Sequence, residues 1–326
     1  MNFSKGYQVL PLKLIDANNL KKSFGNFIAV DNIDLAVHRG EVVGFLGPNG
    51  AGKSTTMKML TGFLEPDSGD ILINNIDLKS YPLEAKQFIG YLPEGAPSYS
   101  DMEVSEFLSF VGKMRGINNK NILNRRLDDM ANQINLKDVW NRPIETLSKG
   151  FKRRVGIAQA LIHDPDILIL DEPTDGLDPN QKHEMRDLIK NISKNKAIVI
   201  STHILEEVEA VCSRAVIIAN GKLLANEKPV NLGNNLKQKS VLCILLSNKI
   251  NSTISKEIKA NLNYKNVEIQ SVSNTSGKIL MQGDEKSLDL NKIIAQLKKQ
   301  KLHVVEAYFI KPTLDEIFRK ITQGEQ

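Results

Sequence analysis

The sequence predicts an α/β domain over residues 1–230 with an inserted helical subdomain at about 88–163, followed by a small α+β domain over residues 231–326. Two apolar runs, ILIL before Asp171 and AIVIST before His203, are separated by a helical pattern. Continuous apolar runs of this kind are typical of parallel strands that are covered on both faces. A glycine-rich stretch between a strand and a helix, and a change in composition near the domain boundary, also support this organisation.

The bulk composition limits the class of protein. The chain of 326 residues is long enough for two domains, and its 41% hydrophobic residues exclude a disordered chain. Cys212 and Cys243 lack metal-ligand spacing and indicate a reducing compartment. No apolar run reaches the roughly 18–20 residues of a membrane span, and the first residues lack the pattern of a secretory signal. We therefore expect a cytoplasmic protein, peripheral on the cytoplasmic face of the cell membrane if a separate subunit supplies the span.

The positive charge is concentrated near the end of the chain. The formal net charge is +5, and residues 236–326 hold 15 Lys and Arg against 9 Asp and Glu. This region has neither stacked aromatic residues nor a dense basic run, so no nucleic-acid partner is expected. A solvated face is the favoured interpretation, and a surface facing a membrane or a partner protein is the alternative.

The elements of the first domain follow from local patterns. Residues 12–45 alternate apolar and polar in short runs, which predicts strands joined by turns. Helical periodicity begins at Ser54 and ends before the turn at Pro66, and the sequence DILINN then predicts a short strand. Residues 101–163 favour helices and contain no strong strand pattern.

The second domain begins after a linker, which the Asn, Lys and Gly content of residues 229–240 predicts. The patterns that follow predict strands and helices in the order βαββαβ, which is the ferredoxin-like arrangement. A last helix is predicted from Thr313, because Thr313 and Glu316 form a capping-box pattern.

A phosphate-binding loop is predicted at residues 47–55, where the sequence GPNGAGKST follows a strand and opens a helix. Glycines allow several backbone N–H groups to point inward at phosphate oxygens, and the helix N-terminus adds its positive dipole end. Lys53 is expected to bind the β- and γ-phosphates, and the Ser54 hydroxyl is expected to ligate Mg²⁺. The predicted nucleotide contacts of the loop are Gly47, Pro48, Asn49, Gly50, Ala51, Gly52, Lys53, Ser54 and Thr55.

Two carboxylates follow the apolar strand ILIL, at the end where ligands bind in open α/β sheets. Asp171 is expected to hold Mg²⁺ through water, and Glu172 is expected to polarise the attacking water. The alternative is that the pair only caps a helix, but the phosphate loop upstream favours the catalytic interpretation.

The stretch LSKGFKRRVGIAQALIHDP at 147–165 resembles the signature motif of the ABC ATPase family. This resemblance implies that Ser148 and Gly150 bind the γ-phosphate of ATP held by another subunit. It therefore implies a homodimer, or a heterodimer with a related ATPase subunit, with two ATP molecules sandwiched between opposed faces. In the signature, Lys149 and Phe151 stand where Gly and Gln are commoner in the family.

Other positions match the same family over roughly residues 12–230. The resemblance implies that Phe24 stacks on adenine, that Asp178 lies in a loop crossing the dimer interface, and that His203 contacts the γ-phosphate. Glu94 stands where the family often has Gln, at a position that normally monitors Mg²⁺ and signals to the membrane subunit.

The tail EAYFIKPTLDEIFRKIT is similar to the end of ATPase subunits from ABC-2-type exporters and from gliding-motility systems. The resemblance implies an ATP-hydrolysing motor subunit that works with separate transmembrane permease subunits. One alternative is a soluble ABC ATPase acting on ribosomes or DNA, but the chain has a single ATPase cassette and no coiled-coil insertion. A small-molecule phosphotransferase is a further alternative, in which the signature motif and His203 have no purpose.

Overall fold

A computed structural model of the chain contains two compact units, Met1–Pro229 and Val230–Gln326. The division between them falls one residue from the predicted boundary. None of the described helices is both long and apolar enough to cross a bilayer. The first residues, most of the predicted linker and the predicted helix at Thr313 lie outside the described residues. The described residues are 12–95, 98–232, 241–248, 250, 252–262, 264, 267–273, 276–283 and 288–310.

The first unit contains two sheets and a group of helices. Its strands are β1 (Lys13–Phe24), β2 (Phe27–His38), β3 (Val42–Leu46), β4 (Ser68–Ile73), β5 (Ile76–Asp77), β6 (Ile89–Leu92), β7 (Ile167–Asp171), β8 (Ala197–Thr202), β9 (Arg214–Ala219) and β10 (Lys222–Glu227). Its helices are α1 (Lys53–Leu60), α2 (Pro82–Gln87), α3 (Val104–Met114), α4 (Lys120–Gln133), α5 (Lys149–Leu161), α6 (Pro179–Ser193) and α7 (Leu205–Val211).

The larger sheet has six strands in the order β10-β9-β3-β8-β7-β6. All neighbours from β9 to β6 are parallel, and only β10 is antiparallel to its neighbour. The prediction that ILIL and AIVIST are buried parallel strands is confirmed, since both strands are buried at every position. Their side chains alternate between two apolar cores: Leu168 and Ile198 enter one, while Ile169 and Val199 enter the other.

The strands predicted in residues 12–45 are confirmed as β1, β2 and β3, but they belong to different sheets. The strands β1 and β2 pair with each other, and β1 also pairs with β4 in a separate antiparallel sheet of order β2-β1-β4-β5. Strand β3 instead lies in the six-stranded sheet. Local alternation predicts strands but does not distinguish their partners.

The helical subdomain contains α3, α4 and α5, as the pattern of residues 101–163 predicts. Helix α3 begins with a capping box between Glu103 and Glu106, and Asn119 caps α4. The predicted start of this subdomain at residue 88 is wrong, because Ile89–Leu92 forms β6, which pairs in parallel with β7. Four residues are too few for a strand to be separated from a helix by periodicity alone.

The second unit has the predicted βαββαβ order. Its elements are β11 (Val241–Leu246), α8 (Ser252–Leu262), β12 (Val267–Ser273), β13 (Ser276–Gln282), α9 (Leu290–Lys299) and β14 (Val304–Ile310). The sheet order is β12-β13-β11-β14 with every neighbour antiparallel, which is compatible with the ferredoxin-like arrangement. Leu242, Ile244 and Leu246 of β11 pack in one core with Ile258 and Ile293 of the helices.

A buried histidine ties the helical subdomain to the edge of the six-stranded sheet. His163 follows α5, and its Nε2 atom lies 3.1 Å from the carbonyl oxygen of Ile89 in β6. Burial, with a further contribution from the Arg115 cation, lowers the pKa of His163 to about 4. The folded protein therefore keeps this imidazole neutral at pH values where a free histidine, with a pKa of about 6.5, is protonated.

We expect the free energy of unfolding to fall as the pH drops from 6.5 towards 4, because the unfolded chain binds a proton at His163 that the folded chain rejects. At pH 5 the loss is about 2 kcal/mol. The substitution His163→Gln should remove this part of the pH dependence in urea unfolding followed by the fluorescence of Trp140. An equal pH dependence in both proteins would contradict the assignment, and the exposed His183→Gln is the control.

Candidate active site

A cleft of about 470 Å³ opens where the parallel strands end. The phosphate loop follows β3, Asp171 is the last residue of β7, and His203 follows β8, so three adjacent strands deliver their side chains to one edge. This is the edge at which open α/β sheets bind ligands. The cleft is lined by Phe24, Phe27, Ala29, Asn49, Gly50, Gly52, Lys53, Ser54, Thr55, Glu94, Glu172, Asp175 and His203.

The phosphate loop has a backbone that requires glycine. Gly52 has a φ of 106°, and a Cβ atom added there would lie 2.3 Å from the backbone oxygen of Ala29. A Cβ atom on Gly47 would lie 2.5 Å from the backbone oxygen of Ile218. Gly47, Pro48 and Ala51 do not line the cleft, but they shape the turn that leads into α1. The loop and the N-terminus of α1 therefore form a site suited to phosphate oxygens.

Lys53 lies within this loop with 6% of its surface exposed. Its Nζ atom donates to the carbonyl oxygens of Gly47 at 2.8 Å and of Pro48 at 3.3 Å, and lies 3.7 Å from Oε1 of Glu172. An ammonium group held in this way places a positive charge at the centre of the cleft, where it can attract phosphate oxygens.

Oxygen donors suited to Mg²⁺ lie beside the loop. The Ser54 hydroxyl is 3.4 Å from Oδ1 of Asp171, which also accepts a short hydrogen bond from the Ser201 hydroxyl, and Glu94 lines the same cleft. Within the described residues, no three His, Cys, Asp or Glu side chains form a metal site by themselves. This donor set fits Mg²⁺, which proteins commonly hold through one or two carboxylates and the phosphates of a substrate.

Glu172 has the geometry of a general base. Its φ of 47° is uncommon for a residue with a side chain, and its backbone N–H donates to the Ser201 backbone oxygen at 3.2 Å and hydroxyl oxygen at 3.1 Å. Its Oε2 atom lies 3.1 Å from Nδ1 of His203. Burial raises the pKa of Glu172, although His203 and Lys53 oppose the shift. A raised pKa brings a carboxylate closer to the range in which it accepts a proton from water.

Two aromatic residues form the outer wall of the cleft. Phe24 and Phe27 are 51% and 60% exposed, and they are paired directly across the turn between β1 and β2. The sequence motifs predict Phe24 in this site but not Phe27, Ala29 or Asp175. The Gly25–Asn26 turn is the signal that could have revealed Phe27, because residues on either side of a two-residue turn face the same way.

Three predicted nucleotide contacts outside the phosphate loop also do not line this cleft. Ser148 caps α5 and accepts a hydrogen bond from the backbone N–H of Phe151 at 3.3 Å, and Gly150 is buried at the start of that helix. Asp178 caps α6 and accepts from the backbone N–H of Gln181 at 2.9 Å. Within one chain these polar side chains act as helix caps, and their contact with nucleotide stays a prediction.

Comparisons with known proteins agree with the motifs. The family model described as "ABC transporter" matches residues 30–175. The linearmycin resistance ATP-binding protein LnrL of Bacillus subtilis (strain 168) is 30% identical over 310 residues, which cover 95% of this chain and 98% of LnrL. The chain belongs to the family of ABC transporter ATP-binding proteins. The resemblance inferred from the signature motif is therefore confirmed.

Two further matches each cover about two thirds of the chain. The ATP-binding protein YbhF of Escherichia coli (strain K12) is 39% identical over 220 residues, which cover 67% of this chain but only 38% of YbhF. A solved structure described as an ATP-binding subunit of an ABC transporter is 30% identical, with a TM-score of 0.62, over 68% of this chain and 92% of that one. The predicted ABC ATPase fold is thus confirmed, and the chain spans less than half of YbhF.

If Phe24 and Phe27 both contact the nucleobase, Phe24→Ala and Phe27→Ala should each weaken ATP binding by about 1 kcal/mol, or roughly fivefold in Kd, because a stacking surface is lost. Calorimetric titration of ATP measures this effect. Phe63→Ala is a matched control, since Phe63 is 77% exposed and does not line the cleft. An unchanged Kd in Phe27→Ala would remove Phe27 from the nucleobase site.

Proposed function

We propose that this chain is the ATP-hydrolysing motor subunit of a membrane ABC transporter, of the ABC-2 exporter type. The observation that carries the proposal is the convergence of Lys53, Asp171, Glu172 and His203 on the phosphate loop at one edge of the sheet. Positive charge for phosphates, an oxygen set for Mg²⁺ and a base for water are the components that hydrolysis of a nucleoside triphosphate requires.

Six residues in and beside the cleft have distinct roles in the proposed reaction. Lys53 binds the β- and γ-phosphates, while Ser54 and Asp171 hold Mg²⁺ with Glu94 beside them. Bound Mg²⁺ supplies positive charge that offsets the charge developing on the phosphates. Glu172 orients the attacking water and accepts its proton, and His203 contacts the γ-phosphate from the neighbouring strand.

A dimer explains the residues that lie outside the cleft. Ser148 and Gly150 stand at the N-terminus of α5, which favours an anion, yet they do not line the cleft of their own chain. We infer that they contact the γ-phosphate of ATP held by a second copy or by a related ATPase subunit, with Asp178 near the interface. ATP contacted from both sides binds the closed dimer more tightly than the open one, which gives the population shift that a motor needs.

Transmembrane permease subunits are the proposed membrane partners, and the protein is then peripheral on the cytoplasmic face. The helical subdomain offers an apolar surface for docking: Tyr99, Phe110 and Met114 are 56%, 39% and 72% exposed, and the first two rings are 5.6 Å apart. LnrL, which matches along 95% of this chain, is named for resistance to linearmycin, and this favours an export role. No feature of the cleft favours ribosomes or DNA.

Glu172→Gln should lower the rate of ATP hydrolysis by roughly 100-fold or more, because the amide cannot accept the proton from water. ATP binding should persist, since Lys53 and Ser54 are untouched, and ATP should therefore trap a dimer that size-exclusion chromatography with light scattering detects. Adding Ser148→Ala to the same protein should weaken that dimer. Wild-type turnover in Glu172→Gln would exclude Glu172 from the catalytic role.

The membrane partner is tested by purifying tagged Glu172→Gln protein with ATP from native membranes. A polytopic membrane protein in near-equal amount is the expected result. Recovery of ribosomes or DNA-bound proteins, with no membrane protein, would overturn the exporter proposal in favour of a soluble ABC ATPase.

A further inference from the structure

A buried glutamate outside the cleft joins the two segments that carry Glu172 and His203. Glu207 lies in α7 with 4% of its surface exposed. One carboxylate oxygen, Oε1, accepts a short hydrogen bond from the Thr174 hydroxyl. The other, Oε2, accepts from the Thr202 hydroxyl at 2.8 Å. A single carboxylate therefore bridges two hydroxyl groups that are distant in sequence.

Both threonines lie next to the residues proposed for hydrolysis. Thr202 is the last residue of β8 and directly precedes His203. Its hydroxyl oxygen also accepts a hydrogen bond from the backbone N–H of Ile204 at 3.0 Å. Thr174 follows Glu172 by two residues, in the loop after β7. Through these contacts, the Glu207 carboxylate spans the gap between the loop after one strand and the end of its neighbour.

The backbone of Glu172 needs such support from outside its own strand. Its positive φ is a conformation that a side-chain-bearing residue adopts only when the surroundings hold it there. Ser201 holds the backbone N–H of Glu172 from β8. The hydrogen bond from Thr174 to Glu207 anchors the other side of the same turn to α7.

Packing alone does not account for a carboxylate at this position. Glu207 lines a small cavity together with Ile189, Ile200 and Arg186, but Arg186 pairs with Glu206, and no ion pair to Glu207 occurs among the described residues. Burial raises the pKa of the neighbouring Cys212 thiol to about 12, and the negative charge of Glu207 contributes to this shift. A buried carboxylate is costly unless it is hydrogen-bonded, and the hydroxyl groups of Thr174 and Thr202 supply those hydrogen bonds.

We propose that Glu207 is a positioning residue for ATP hydrolysis, which holds the loop after Glu172 and the end of β8 together so that His203 and Glu172 stay in contact. The contact that it maintains is the 3.1 Å approach of His203 Nδ1 to Glu172 Oε2. This inference rests on the proposed function, which assigns hydrolysis to these two residues.

The test compares the variants Glu207→Ala and Glu207→Gln with the control Glu206→Ala. Glu206 lies on the same helix, and its side chain is 83% exposed. We expect Glu207→Ala to lower kcat by about tenfold or more, because small displacements of catalytic groups reduce rates steeply. The KM for ATP should change by less than about threefold, since Lys53 and the phosphate loop are untouched. Glu207→Gln, which keeps one hydroxyl acceptor, should restore most of kcat, and the control should match wild type.

A double-mutant comparison separates positioning from general stability. If Glu207 acts through His203, adding Glu207→Ala to His203→Ala should lower kcat little further, whereas independent effects would multiply. Should Glu207→Ala fail to fold, Thr174→Val and Thr202→Val each remove one contact and should each lower kcat several-fold with ATP binding retained.

Two outcomes would overturn the proposal: wild-type kcat in Glu207→Ala and in both threonine variants, or losses that multiply fully with those of His203→Ala. In either case, loss of turnover in Glu172→Gln would leave the proposed function intact. Wild-type turnover in Glu172→Gln would instead show that the assignment of hydrolysis to the cleft is at fault.

Discussion

The alignment of three parallel strands is the constraint on which the rest of this structure depends. The register pairs Leu46 of β3 with Thr202 of β8, and Ser201 of β8 with Asp171 of β7, so the three strands end level with one another. The phosphate loop, Glu172 and His203 therefore leave the sheet as neighbours. A shift of one strand by a single residue would reverse its side chains between the two faces and separate these groups, and the apolar cores on both faces oppose such a shift.

Burial at this edge sets the electrostatics of the cleft. Asp171 and Glu172 are both largely removed from water, with 1% and 9% of their surfaces exposed. Two carboxylates so close together are tolerated because Lys53, His203 and the hydroxyl of Ser201 compensate them. The same balance leaves Glu172 with a raised pKa, which suits a group that must take a proton from water.

Hydroxyl groups connect the reactive side chains to the scaffold. Ser201 joins β8 to β7, and Thr202 and Thr174 meet on Glu207 of α7. The contacts of Ser201 with Glu172 and of Thr174 with Glu207 join segments that are distant in the sequence, and each links a loop residue to a regular element. Glu172 and His203 follow strands rather than lie within them, and these hydroxyl contacts tie their segments to regular elements, which favours a fixed geometry in the site.

The sequence by itself determined the family, the βαββαβ order of the second unit and the side chains that belong to contiguous motifs. Gly52 and Lys53 could be assigned because the phosphate loop is a local structure whose backbone demands those residue types. Tertiary structure alone decided that Ile89–Leu92 joins the central sheet, that Phe27 and Asp175 line the cleft, and that Glu207 reaches Thr174 and Thr202. Those placements depend on which strands are neighbours and in what register. Packing between segments distant in the chain determines both, and no local pattern encodes it.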